Sequence, residues 1–341
     1  PDIDQPAGAS GELYVSLDNA DLAIWQRWVD YPVDLPQGRG AVRAWANFDG
    51  ATLNAVTGEV ALSDVKLRLL PDLPQLDLVS LSGRISAEHL SRTRVSATAR
   101  QLQLLTRDGV RVRPTSIDLN WQAAADGRAG QGEISASVLD LAALTRLSDF
   151  IPLPDPLRER LRDHAPHGRL TDLDAGWTGE LSAPLGFRVS AGLDRIGFNA
   201  RGDVPGVAGL SGKLEGSDAR GSVVVDAPGL TFDLPAVFAE PQITFARFKL
   251  RAGWVRSDGE TTVALESVVF QNADTEGEFT GRYRTLASTA GELDLDGRLQ
   301  RSDARAIWRY LPLTIGADTR DWLRDALVAG GSPDATLKLR G

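Results

Sequence analysis

Between Gly291 and Gln300 the chain reads GELDLDGRLQ, with Leu293, Leu295 and Leu299 on one parity and Glu292, Asp294, Asp296 and Arg298 on the other. Side chains of a strand point alternately to its two faces, so this spacing predicts a strand that is apolar on one side and charged on the other. The same alternation sets Val65, Leu67 and Leu69 against Lys66 and Arg68, and Ile117, Leu119 and Trp121 against Ser116, Asp118 and Asn120. It returns where Phe187, Val189 and Leu193 oppose Arg188, Ser190 and Asp194. Ile243 and Phe245 fall on one parity, while Phe248, Leu250, Ala252 and Trp254 fall on the other, which predicts a turn or bulge near Ala246 and Arg247. A charged opposite face points to an antiparallel sheet with one wet side.

Helical spacing breaks this pattern in three places. In Asp140 to Gly168, Asp140 is placed to cap a helix carrying Leu141, Leu144 and Leu147, and Asp155 and Pro156 are placed to open a second one. In Ser302 to Gly331, Ala304, Ile307, Trp308 and Leu311 hold i, i+3, i+4, i+7 spacing, and Asp318 with Asp321 three residues on reads as a cap. Phe150-Ile-Pro-Leu and Tyr310-Leu-Pro-Leu lie 160 residues apart, and Leu161-Arg-Asp and Leu323-Arg-Asp lie 162 apart, a long-period internal repeat. Ala20 to Gly40, with helical spacing from Ala20 to Asp30, reads as a reduced copy. The resulting plan is a unit over 1–131, a second over 132–290 opened by two helices, and the start of a further unit over 291–341.

Composition narrows the function classes. The 341 residues carry a formal net charge of −9, which argues against nucleic acid or an anionic bilayer surface as the main partner. Cysteine is absent, excluding a thiolate nucleophile and a disulfide frame. Methionine is also absent, and no apolar run approaches the length of a membrane span, so the chain reads as a fragment whose anchor lies elsewhere. His164 and His167 form HAPH at a helix end, where a solvated pair is favoured over a metal site; His89 stands alone. Gly206 to Gly212 is not a phosphate-binding GxGxxG and reads as a turn. The carboxylates sit mostly at turns or on wet parities, so no pair is singled out for glycoside hydrolysis. The expectation is a protein that is not an enzyme, with no catalytic residue, metal or cofactor.

About twenty strands each offer an apolar face, and the helices are too few to cover them. A second sheet would cover them in a sandwich, closure would do so in a barrel, and one sheet could instead curl and leave a trough. General fold frequencies favour the sandwich or barrel.

The segments LSGKLEG (210–216), VVVDAPGLTFDLPAVFAEP (223–241), WVRSDG (254–259), FQNADTEGEFTGRYR (270–284) and YLPLTIGADTRDWLRDALVAGG (310–331) occur in an order and spacing that resemble the YhdP family of AsmA-like proteins. FIPLPDPLRERLRDHAPHGRL (150–170) resembles the same family's helical insert. The resemblance implies a mainly β fold, an elongated curled antiparallel sheet forming a groove, with short helical inserts. It also implies a periplasmic segment of a Gram-negative envelope protein, held to the inner membrane by a part of the protein not in this chain. The implied function is non-enzymatic passage of phospholipid toward the outer membrane, the partners being acyl chains, with membrane contact made elsewhere. On parity, the residues expected to line the groove are Leu67, Leu119, Trp121, Phe187, Val189, Leu193, Phe248, Leu250, Trp254, Leu295 and Leu299. Lys66, Asp118, Arg188, Lys249 and Asp294 are expected to face water. The alternative is a periplasmic scaffold of β-sandwiches that binds envelope proteins, with the same apolar residues in sealed cores.

Overall fold

The computed structural model describes residues 10–25, 33–49, 52–88, 93–202, 204–257, 259–286, 289–332 and 334–341. Its strands belong to one antiparallel sheet of 19 strands that is not closed into a barrel, and its helices are short. The sandwich and the barrel are therefore not formed. The contacts of the chain group into two units, Pro1–Arg162 with Thr171–Phe187, and Asp163–Leu170 with Arg188–Gly341.

In the first unit, β1 (Ser10–Asp21), β2 (Asp34–Asp49), β3 (Thr52–Arg68), β4 (Leu76–Glu88), β5 (Arg94–Thr106), β6 (Arg111–Gln122) and β7 (Gln131–Asp140) form a meander, each pairing with the next. A one-turn helix α1 (Leu22–Trp25) stands between β1 and β2; the rest of the helix expected to Asp30, like His89, lies outside the described residues. After β7 come α2 (Leu141–Leu147) and α3 (Asp155–His164). Asp140 caps α2 as expected, accepting from the Ala143 amide at 2.9 Å. Leu22 of α1 and Ala143 and Leu147 of α2 pack with Leu62, Val65, Leu76 and Leu78 of β3 and β4 in one core cluster, where Val65 and Leu78 are 0% exposed.

The strands β8 (His167–Glu180) and β9 (Ala183–Phe198) each contribute residues to both units. In the second unit β9 pairs with β10 (Gly206–Ser217), β10 with β11 (Arg220–Asp226), and β11 with β14 (Arg247–Ser257). The order continues through β15 (Glu260–Gln271), β16 (Thr275–Leu286) and β17 (Thr289–Asp303) to β18 (Gly331–Ser332) and β19 (Ala335–Arg340), both of which pair with β17. Between β11 and β14 the chain makes a hairpin, β12 (Leu230–Asp233) and β13 (Gln242–Phe245), with β12 also pairing the first residues of β10. β13 ends at Phe245 and β14 begins at Arg247, so the parity change falls where the spacing predicts it. Gly206 to Gly212 is part of β10 rather than a turn. Its glycines serve register shifts around Leu210 and a close backbone approach, since a Cβ on Gly212 would lie 2.0 Å from the Val224 carbonyl oxygen.

The second helical insert departs from expectation. Ala304–Tyr310 is a 3-10 helix capped by Asp303, not an α-helix. Ten residues separate the cap Asp140 from Phe150 in the first insert, but seven separate Asp303 from Tyr310. A 3-10 helix is wound more tightly than an α-helix, three residues per turn, and rises about 2.0 Å per residue against about 1.5 Å, so the seven residues of Ala304–Tyr310 reach further along the axis than the seven of Leu141–Leu147. In α4 (Ala317–Ala326) the cap position is Gly316, with no side-chain bond; Asp318 sits in the first turn, where it still favours the helix dipole. The repeat is otherwise physical. Arg158 donates to the Leu153 carbonyl, and Arg320, 162 residues later, donates to the Ile315 carbonyl, also 162 later; Ala143 and Ala306, each following its cap by three, are both buried.

Tyr310 anchors the second insert. It donates to Asp274 at 3.0 Å and accepts from buried Asn272 at 2.8 Å, whose other amide atom accepts from the Asp274 and Thr275 backbone. Burial, with the Asp274 carboxylate adding to it, pushes the Tyr310 phenol up to about 12. Because the folded value lies above the ordinary one, the stabilisation is intact below about pH 10 and is lost as pH rises through about 12. A phenolate absorbance titration should show one of the four tyrosines ionising last, and Tyr310→Phe should remove that phase.

Candidate functional site

The cross-strand register turns the alternation of single strands into rows. In the first unit Ala46, Val56, Ala87, Ala97, Leu119 and Ile134 are successive partners on β2 to β7. The next row along the strands is Ala44, Gly58, Ile85, Ala99, Ile117 and Ala136. Between these rows, on the opposite face, stand Thr57, Ser86, Thr98, Asp118 and Ser135. Arg84 bridges to Glu59 at 3.3 Å and Arg100 to Asp118 at 2.6 Å on that face, and the Arg100 guanidinium holds the Asp118 carboxyl below the usual carboxylate range. Such exposed pairs add little stability; their effect is to keep this face wet.

The second unit repeats the arrangement. Leu214, Val223, Ala252, Leu265, Gly281 and Leu295 are successive partners from β10 to β17, extended by Ala191 on β9 and Leu339 on β19. One row further, Gly216, Gly221, Trp254, Val263, Tyr283 and Leu293 align. On the other face Lys249 pairs with Asp226 at 2.8 Å, and Arg340 with Asp296 at 2.7 Å.

In each unit the apolar face is sealed at one end and left open further along the strands. The first unit is sealed by α1 and α2 over Val65 and Leu78. The second is sealed by phenyl rings: Phe232 and Phe245 from the hairpin meet Phe248 at 5.6 and 5.4 Å, and Phe245 meets Phe270 at 6.0 Å, tilted or edge-on. Outside the sealed ends the face is partly accessible: Ile85 is 41% exposed and Leu339 45%, while the small Ala136, Ala191 and Ala252 are buried beside larger neighbours.

The eleven residues expected to line the groove divide. Leu119 stands in a row of the first unit and Trp121 two residues beyond it, opposite Val95 and Gly132; Val189, Trp254 and Leu295 stand in the rows of the second. Phe187 is 43% exposed on the same parity as Val189. Leu193 pairs with Gly212 and Leu299 with Gly277. Leu67 packs instead against the helix-covered core, Phe248 is buried in the phenyl cluster, and Leu250 packs beside it. Asp118, Lys249 and Asp294 occupy the opposite face, as expected of them. His164 meets Phe198 edge-on and lies 3.3 Å from the Asn199 carbonyl oxygen, and His167 opens β8, so the two are placed by packing.

Glycine was the element not anticipated on this face. Gly58, Gly132, Gly216, Gly221, Gly281 and Gly297 all take apolar-row positions. Some of them hold indoles: a Cβ on Gly132 would lie 2.1 Å from Trp177, and one on Gly221 would lie 2.1 Å from Trp254. The signal was present in parity, since Gly221 precedes Val223 and Gly281 precedes Tyr283 by two.

The model of the family described as YhdP protein matches residues 3–341. The chain belongs to the YhdP family. Comparison with curated proteins gave no match, and comparison with solved structures gave none. YhdP proteins are cell-envelope proteins, and membership points to a role connected with envelope lipid transport. Among the described residues of this YhdP chain no helix is long and apolar enough to cross a membrane.

Proposed function

We propose that this chain is a segment of a phospholipid conduit between the inner and outer membranes, non-enzymatic, with acyl chains lying on the open apolar rows and head groups in water. The observation that carries this is the register: apolar positions from six or more consecutive strands line up on one face of each unit, while the opposite face is ion-paired. A lone strand can expose a leucine for no reason, but aligned, partly exposed apolar rows that run across many strands point to a binding surface. Acyl chains suit it because burial of apolar area gains about 25 cal/mol per Å² with no directional demand, so one surface accepts chains at any position along it.

No catalytic group, metal or cofactor is needed in this reading. The segment belongs in the periplasm, and any anchoring to the inner membrane is made by parts of the protein other than these units. An organic extract of the purified protein should contain phospholipid detectable by mass spectrometry. An extract without lipid, from protein prepared in the absence of detergent, would contradict the proposal and favour a scaffold that binds proteins.

A further inference from the structure

We propose, building on the conduit reading above, that Arg256 is a contact for the phosphate of a bound phospholipid and that Trp254 marks the level of its glycerol esters. In the second unit polarity changes in single steps along the strands of the apolar face. The row of Ala252, Leu265 and Gly281 is hydrocarbon and small. The next, Trp254, Val263 and Tyr283, adds two aromatic rings with polar edges. The third holds Arg256 beside its partner Thr261, and Thr261 is bracketed by Thr285, whose hydroxyl accepts from the Thr261 amide at 2.8 Å and donates to its carbonyl at 3.3 Å. Each step is two residues, about 6.7 Å along a strand. Hydrocarbon, amphipathic ring and cation thus follow in the order that a phospholipid presents acyl chain, ester and phosphate.

The cation is available. Arg256 is exposed and makes no ion pair among the described residues, whereas Arg284 is tied to Glu292 and Lys249 to Asp226, both on the opposite face. Its backbone is fixed, because the Arg256 amide donates to the Ala219 carbonyl at 2.7 Å. Glu260 pairs with Ser257 and so has the other parity, away from the row of Arg256. Trp254 is held flat by glycines at 216 and 221, where a Cβ would come within 2.4 and 2.1 Å of the indole. An indole combines an apolar body with a polar edge, which suits the boundary between hydrocarbon and head group. A guanidinium in turn binds a phosphate through paired N–H donors.

The test compares two lipids with the same acyl chains, phosphatidylglycerol and diacylglycerol, the second lacking the phosphate. The full chain, as wild type, Arg256→Glu and Arg256→Lys, is loaded from detergent, and retained lipid is measured by mass spectrometry after gel filtration. The expected result is that Arg256→Glu lowers phosphatidylglycerol retention about fivefold, the scale of one exposed charge interaction, leaves diacylglycerol unchanged, and that Arg256→Lys restores most of the loss. If wild type and Arg256→Glu retain both lipids alike, the phosphate contact is overturned and the conduit reading stands. If wild type retains neither lipid, the conduit reading fails and takes the contact with it.

Discussion

Leu78→Ala should destabilise the first unit by about 2–5 kcal/mol in chemical denaturation, while Ile85→Ala, on the same strand and face, should cost no more than about 1 kcal/mol. Leu78 is 0% exposed in the cluster that α1 and α2 cover, so truncation leaves a cavity that neighbours on two helices and two strands cannot all collapse into. Ile85 is 41% exposed in the open rows, and its loss removes surface that already meets solvent. Equal costs at the two positions would mean that the apolar face is sealed along its whole length, as in a sandwich core.

Gly132→Ala should destabilise by about 1–3 kcal/mol, and most of that should disappear in a Trp177→Ala background. The alanine Cβ would stand 2.1 Å from one Trp177 ring atom, and its three nearest heavy atoms all belong to that ring, so the steric conflict is with the indole rather than with backbone. The Trp177 ring nitrogen is buried without a hydrogen-bond partner, so the ring is held there by its fit over the glycine. A double-mutant cycle by denaturation should therefore give a coupling of at least about 1 kcal/mol. Additive losses would show that Gly132 is needed for its own backbone instead.

Much of this was legible from alternation alone. The faces of β6, β14 and β17 followed from residue parity, because side-chain direction in a strand is local. So did the break at Ala246, where Phe245 and Phe248 meet on one side of the sheet at 5.4 Å. The helical repeat was visible in Leu161-Arg-Asp and Leu323-Arg-Asp. What parity cannot tell is depth. Leu67 and Leu119 read identically, yet Leu67 is packed against a helix-covered core and Leu119 stands in the rows, because the covering helices come from sequence far from both strands. The phenyl cluster escaped for the same reason, since Phe232 and Phe270 meet only through the hairpin of β12 and β13. The 3-10 helix at Ala304 escaped because i, i+3, i+4, i+7 spacing marks a helical face without separating about 3.0 residues per turn from about 3.6 over so short a stretch.

A conduit of this kind carries lipid on one face of the sheet and none on the other, and β17 offers both faces for a residue-by-residue test. Photo-crosslinking side chains placed singly at Leu293, Leu295 and Leu299, and at Glu292, Asp294 and Asp296, would be irradiated in protein loaded with phospholipid, and the adducts counted by mass spectrometry. Labelling should follow a period of two, with adducts at the three leucine positions and background levels at the three acidic ones. Equal labelling on both parities, or labelling confined to the acidic positions, would contradict it.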